Sequence, residues 1–338
     1  MTCARSLFVL TAAICSGLTA ASDALGQAEI RLQNGSILFG EVKKFEFAKL
    51  TVDTDDFGLI DIDWDPVVYV KAPGPFAITL ANGRTVTGSI EADSAIVRIK
   101  GTTDMSVPRK ELGHFEDFDT GFWNRASAGV DVGANVVRGN NQVTSLNVGV
   151  NLGYESDVSE VLFGATSIIN EQKESEDTRR FTASASVDRK VVGRFRLGLS
   201  ANFESDEAQQ LDHRALTSIF ISYRAISKQR VRLDITGGGG PTFEKYLGAD
   251  GTALGEGKVG FTFVGKPDGD TSLDLSSYLY PGLFDFDRFR LESDLVFRIE
   301  IISDLTVNIT AYYRYNSRPP VDVTEDDYGV TFGVGWTY

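Results

Sequence analysis

Residues 328–338, YGVTFGVGWTY, alternate without a break. Tyr328, Val330, Phe332, Val334, Trp336 and Tyr338 fall on one side, and Gly329, Thr331, Gly333, Gly335 and Thr337 on the other. A strand has a side-chain period of two, so this segment carries one aromatic, apolar face and one face of small or polar residues. In a soluble sheet the apolar face would need a second layer to cover it. The alternative is a closed sheet whose apolar face meets lipid and whose backbone groups are all paired between strands.

The chain repeats the pattern from residue 126 onward. Twelve alternating segments are expected at 126–137, 142–154, 160–170, 179–189, 194–204, 213–225, 229–243, 256–266, 270–280, 288–300, 304–316 and 326–338, with ends good to roughly two to four residues. In the fifth, Phe195, Leu197, Leu199, Ala201 and Phe203 oppose Arg194, Arg196, Gly198, Ser200 and Asn202. In the tenth, Leu291, Ser293, Leu295, Phe297 and Ile299 oppose Arg290, Glu292, Asp294, Val296, Arg298 and Glu300. Even-numbered connections are short. Most odd-numbered ones read as longer and acidic, as in EQKESEDT (171–178), SDEAQQLD (205–212), 244–255 and SRPPVDVTE (317–325), although the first, 138–141, is short. Short turns on one rim and long loops on the other is the arrangement of a membrane barrel. The polar faces carry Arg, Asp, Glu, Ser and Asn of mixed sign, as an inward-facing lumen surface would. The fold expected is all-β: an antiparallel transmembrane β-barrel of about twelve strands over 126–338.

The N-terminal third differs. Arg5, the apolar run Leu7–Ile14 and the small residues around Thr19–Ala21 read as a secretory signal over residues 1–26. Cys15 follows Ile14, where a lipoprotein site needs a small residue, so that reading is set aside. Cys3 and Cys15 are the only cysteines and would leave with the signal, giving a mature chain without thiols. No later stretch reaches the ~18 apolar residues of a membrane helix.

Residues 30–42, IRLQNGSILFGEV, then recur as 78–90, ITLANGRTVTGSI. Each copy has an Asn-Gly pair between alternating runs, the short-range signature of a hairpin with a type I′ turn, and a later glycine, Gly40 or Gly88. Two small β-units similar to SH3-like and Sm-like barrels are expected over 28–115, with 116–125 as a linker carrying Phe122 and Trp123 to a membrane interface. Sm-like proteins bind RNA. The acids Asp53, Asp55, Asp56, Asp61, Asp63 and Asp65, and a net charge of −14, oppose phosphate and exclude nucleic acid as a partner.

Residues 123–338 resemble a bacterial family described as salt-induced outer-membrane proteins, whose domain has no established function. The resemblance rests on GVDVGANVVRGNNQVTSLNVGVNLGY (129–154), GGGGPTFEKY (237–246) and the ending YYRYNSRPP…DDYGVTFGVGWTY. The aromatic ending, Tyr328 to Tyr338, also resembles the signal by which bacterial outer-membrane barrels are recognised for assembly. The resemblance implies an outer-membrane location, contact with outer-membrane lipid and lipopolysaccharide, and handling by the barrel-assembly machinery. Residues 28–115 would then lie in the periplasm, where they could meet a protein partner. It supplies no catalytic residue.

Candidate sites are few. Gly237–Gly240 lacks the Lys-Ser or Lys-Thr of a phosphate loop and is followed by Pro241, so a bend or close packing in the lumen is the better reading. His213, the barrel's one histidine, brings to mind outer-membrane lipid hydrolases. Ser218, five residues on, falls on the opposite strand face, leaving only a serine from another strand as its partner. His114 lies outside the barrel. Glu171, Glu174, Glu176 and Asp177 show no metal-ligand spacing. The sequence points to no enzyme, cofactor or metal. Expected to face the lumen are Arg194, Arg196, Arg232, Asp234, Glu292, Asp294, Arg298, Glu300 and Arg314, lining a channel or pairing to fill it. Three functions follow: a narrow passive channel or envelope-stress structural protein, an anchor for a periplasmic interaction domain, and a lipid-modifying enzyme.

Overall fold

A computed structural model describes the chain except residues 1–26, 102–103, 119–121, 138–142, 157, 173–177, 303–304, 322 and 338. Residues 1–26, expected as a secretory signal, Tyr338 and the carboxylates at 174, 176 and 177 therefore lie outside the described residues.

The N-terminal domain contains β1 (Ala28–Leu32), β2 (Ile37–Glu46), β3 (Lys49–Thr54), β4 (Gly58–Asp63), β5 (Val67–Leu80), β6 (Thr85–Asp93), β7 (Ile96–Gly101), β8 (Met105–Pro108) and β9 (Leu112–Asp117). The two sequence repeats form matching hairpins. Ser36 N donates to Asn34 Oδ1 and Arg84 N to Asn82 Oδ1, each at 2.9 Å. Only the glycines, Gly35 and Gly83, have positive φ, 86° and 82°. The turn is thus not the expected type I′. Leu32 N reaches Ser36 O and Gly35 N reaches Leu32 O, which makes a three-residue loop with glycine at its left-handed position. Gly40 and Gly88 also serve alike, since a Cβ on either would lie 2.5 Å from the carbonyl oxygen of Asp53 or Lys100 on the next strand.

The repeats do not make two separate barrels. β9 pairs with both β2 and β5, and β1 does the same, so the copies share one nine-stranded sheet. They also share one core. Phe45 packs on Trp64 and Phe115 with ring centroids 4.8 and 5.5 Å apart, and Ile30, Ile78, Leu80 and Leu112 complete it. Arg109 lies over the Trp64 ring at 3.9 Å and donates to the carbonyls of Val67, Asp93 and Trp64. Because β9 runs through Asp117, residues 116 and 117 belong to this sheet rather than to a linker. The short helix α1 (Phe122–Arg125) follows, with Phe122 and Trp123 exposed.

A twelve-stranded closed barrel follows. Its strands are β10 (Ala126–Val137), β11 (Val143–Glu155), β12 (Ser159–Gln172), β13 (Thr178–Val192), β14 (Phe195–Asp206), β15 (Leu211–Lys228), β16 (Val231–Tyr246), β17 (Thr252–Gly265), β18 (Thr271–Pro281), β19 (Phe289–Ile302), β20 (Leu305–Asn316) and β21 (Asp326–Thr337). β21 pairs with β10 from Thr337↔Gly129 to Gly333↔Gly133 and closes the ring. Several acidic segments expected as loops are strand ends. β14 continues through Asp206 and β16 through Tyr246, because hydrogen bonding between neighbours continues beyond the apolar band.

Burial in the barrel is inverted relative to a soluble sheet. On β14, Leu197 and Leu199 are 49% and 52% exposed, whereas Arg196 and Ser200 are 5% exposed. On β21, Tyr328, Val330, Phe332, Val334 and Trp336 all point outward and are exposed. Gly333 and Gly335 face inward, and a Cβ on Gly335 would lie 2.4 Å from Asp131 Oδ1. Their lack of side chains makes room for Asn308, whose Nδ2 donates to Asp131 Oδ1 across the intervening strand at 2.7 Å. An exterior this apolar around a polar interior is stable in lipid and not in water.

Candidate functional site

The lumen face is uneven around its circumference. Midway along β10–β13 it is small and mostly uncharged: Gly129, Gly149, Asn151, Gly153, Leu162, Gly164, Thr166 and Ser184 share the inward register with Asp131, while Glu155, Glu160, Asp188 and Arg180 stand toward the ends of these strands. Asn151, Leu162 and Ser184 remain exposed, so open space borders this wall. Across β14–β20 the lumen is filled instead. Ser200 bonds Ser218 at 2.8 Å, and Ser222 bonds Thr236 at 2.7 Å. The Phe220 ring fits where Gly198 and Gly238 leave room, and Lys258 Nζ lies 5.5 Å from its centroid and 4.6 Å from that of Tyr278. Of the consecutive glycines here, Gly238, Gly239 and Gly240 mark close packing, whereas a Cβ on Gly237 would meet nothing. A Cβ on Gly240 would lie 2.0 Å from Thr217 O.

Charged groups gather at the two ends of this filled wall. Toward the long-loop rim, Arg180 joins Glu204, Asp206 and Asp327, Arg214 joins Glu204 and Glu244, and Arg290 holds Glu256 through two bonds of 3.1 and 3.0 Å. Arg290 and Glu256 are 4% and 1% exposed. Toward the short-turn rim, Arg196 meets Asp188 and Glu160, Arg224 meets Asp234 at 3.0 Å, and Arg232 meets Glu155 at 2.8 Å.

The structure places the expected lumen residues as follows. Arg196, Arg232, Asp234, Glu292, Asp294, Arg298 and Arg314 sit on inward faces within ion pairs: Glu292 with Arg290, Asp294 with Arg314 at 2.6 Å, and Arg298 with Asp274 at 2.5 Å. Glu300 stands opposite Thr306 in the same inward register. Arg194 is the exception. It precedes β14 in a turn and leaves the wall, donating to the carbonyls of Ala225 and of Ala81 in the N-terminal domain. The sequence reading missed Arg180, Glu204, Arg214, Glu244 and Glu256. Their parity with Arg196 or Arg290 was the available signal, and of the five only Glu244 stands in a segment that read as a loop.

The N-terminal domain docks on the short-turn rim. Three turns hold it: Lys190 Nζ donates to Thr85 Oγ1 at 2.8 Å, Gln229 Nε2 to Arg109 O at 2.7 Å, and Arg230 Nη2 to Asp65 Oδ2 at 2.8 Å. At Gly269, in a third turn, a Cβ would touch Asp63 and Lys49. The β2–β3 turn reaches furthest. Phe47 and Ala48 both have positive φ, 47° and 59°, a conformation that residues other than glycine seldom adopt. The Phe47 ring takes Lys266 Nζ at 4.5 Å and the Arg232 guanidinium at 5.4 Å, contacts that offset the backbone cost. Burial leaves its mark on this interface. It raises the Glu46 pKa, helped by Glu155, and lowers that of Lys266. His114, on β9, is pushed down to about 4, first by burial and then by Arg224, Lys190 and Arg232, against the pull of Glu155.

His213 stacks on Phe243, ring centroids 5.6 Å apart, and points away from the lumen. Ser218 is buried in the lumen face, so the wall of the barrel separates the two.

A protein family described as "Protein of unknown function, DUF481" matches residues 130–338. The chain belongs to that family. No curated protein matches the sequence. Among solved structures the chain is similar to an outer-membrane channel from Pseudomonas putida F1, with 10% identity, 63% of this chain and 95% of that one covered, and a TM-score of 0.38. It is similar also to LpxR from Salmonella typhimurium, with 8% identity, 63% and 99% covered, and a TM-score of 0.36. A porin gives 10% identity, 92% and 98% covered, and a TM-score of 0.28.

Proposed function

We propose that this DUF481 protein is a bacterial outer-membrane barrel acting as a narrow passive channel, with its N-terminal domain seated on the periplasmic mouth as a plug. The observation that carries this reading is the uneven lumen: an open strip midway along β10–β13, lined mainly by Gly, Ser, Thr and Asn with Leu162 and Asp131, runs beside a wall filled by ion pairs. A lumen meant only to stabilise a barrel would be filled all round. The short-turn rim is the periplasmic one, as in outer-membrane barrels generally, which puts the docked domain in the periplasm. Outer-membrane lipid and lipopolysaccharide bathe the exterior, and the outward aromatic face of β21 is what the assembly machinery reads. Planar-bilayer recording of the purified full chain tests the channel. Discrete but infrequent current steps are expected, and Ser184→Trp, which obstructs the strip, should abolish them. A silent wild type, or steps unchanged by the tryptophan, would contradict the reading.

One observation favours a second reading, in which the barrel anchors an interaction domain. Ile37, Phe39, Phe57 and Leu59 are exposed on the outer face of the nine-stranded sheet, next to its edge strand β4 and among Glu41, Asp53 and Asp55. A photo-crosslinking residue at Phe57 in growing cells should then trap a periplasmic protein. Adducts to lipid alone would count against it.

A further inference from the structure

A small crevice lies where the N-terminal domain meets the short-turn mouth of the barrel. Thr79, Gly83 and His114 form its roof, and the barrel contributes Lys190, Arg194, Arg196 and Arg224. Four of its lining residues are cations and none is a carboxylate. The crevice at the opposite end of the barrel is different: Glu204, Glu292, Glu325, Asp326 and Asp327 there outnumber Arg214, Arg290 and Arg314.

The acids next to the cationic crevice already have partners among its guanidinium groups. Asp188 takes Arg196 Nε, Asp234 takes Arg224 Nε at 3.0 Å, and Glu160 stands 4.0 Å from Arg196 Nη2 and 3.8 Å from Arg224 Nη2. Two donors are left over. Arg196 Nη2 and Arg194 Nε are buried and have no hydrogen-bond acceptor, and Arg196 as a whole is 5% exposed. Arg194 bonds only to neutral carbonyls, those of Ala81 and Ala225. Buried guanidinium N–H groups without acceptors are costly, and a polar group left so in a native structure calls for an explanation. A planar guanidinium fork suits oxyanions that accept two parallel bonds.

We propose that this crevice binds a phosphate oxyanion, held between Arg194 and Arg196 with Lys190 and Arg224 supplying charge. The phosphate would bridge barrel and domain, because Arg194 already reaches from the β13–β14 turn to the Ala81 carbonyl. The site is a claim about binding and stands whether or not the lumen conducts.

The test is calorimetric titration of the full chain in detergent with inorganic phosphate, repeated with the chain in phosphatidylcholine nanodiscs with or without phosphatidic acid. Arg194→Gln is the informative variant, since it strands no carboxylate. Its fold is checked by heat-modifiable migration on gels. Saturable phosphate binding, weakened at least tenfold in Arg194→Gln and partly restored in Arg194→Lys, supports a free phosphate as ligand. No binding of inorganic phosphate, but an Arg194-dependent retention of phosphatidic acid, supports a lipid phosphomonoester as its source. Absence of both, or binding that Arg194→Gln leaves unchanged, overturns the proposal.

Discussion

The N-terminal domain and the barrel solve the same folding problem in opposite directions. The domain buries Phe45, Trp64, Phe115 and Leu112 and leaves Lys and Asp outside. The barrel buries Arg196, Arg214, Glu244, Glu256 and Arg290 and leaves Leu197, Ile219, Val259 and Phe332 outside. Both are antiparallel sheets built on a two-residue side-chain period, interrupted by bulges in each, so the strand is not what differs. The surrounding solvent is. Water outside makes an apolar core the source of stability, whereas lipid outside leaves polar groups nowhere to go except inward, where each needs a partner.

This contrast is broken most severely by removing one member of the best-buried ion pair. Arg290→Met strands the Glu256 carboxylate and is expected to destabilise the barrel by about 3–5 kcal/mol, read as a lower urea midpoint in lipid vesicles. Pairing it with Glu256→Leu should recover most of the loss. A comparable loss of about 3–5 kcal/mol is expected for Phe45→Ala in the domain, through a cavity rather than a charge. The two should part in outcome: Phe45→Ala leaves a heat-modifiable barrel with a protease-sensitive N-terminus.

His114 gives a smaller effect with a defined pH window. Its folded-state value, down to about 4 from an ordinary 6.5, means the unfolded chain binds its proton first as the pH falls. The stability at stake is fully present above about pH 6.5 and is lost progressively down to pH 4, to the extent of roughly 3 kcal/mol. His114→Asn should flatten that dependence when domain unfolding is followed by tryptophan fluorescence. The smallest change is Ser218→Ala. It leaves Ser200 without its hydroxyl partner in the lumen and should cost about 1 kcal/mol in the same urea assay.

The barrel was the more legible half of the sequence. Its period of two, read at Phe195–Phe203 and at Tyr328–Trp336, gave both the strands and their lipid-facing side, and the strand ends fell within a few residues of their expected places. Loop lengths were read too long because Asp206 and Glu244 look like loop residues, while in space they are partners of Arg180 and Arg214. The repeats at residues 30–42 and 78–90 were visible, but their fusion was not. It depends on two closing strands that cross between the copies: the first half of β5 pairs with β1 and β6, and β9 pairs in the same way with the second half of β5 and with β2. Arg194 was misplaced for a related reason. Alternation assigns a side chain to a face, but a turn residue can leave that face to reach another domain. The docking surface is spread over turns at 190, 229–230 and 266–269, which no local pattern connects.

The central claim is that the docked domain closes the mouth of the barrel. A Cβ on Gly269 would lie 3.2 Å from Asp63 Cγ, so Asp63→Cys with Gly269→Cys places two thiols within reach of a disulfide across the interface. The only native cysteines are Cys3 and Cys15. Single-channel recording of this double variant, before and after reduction, is the direct measurement. The account predicts no openings while the disulfide holds and discrete openings once it is reduced. The same current in both states would contradict it.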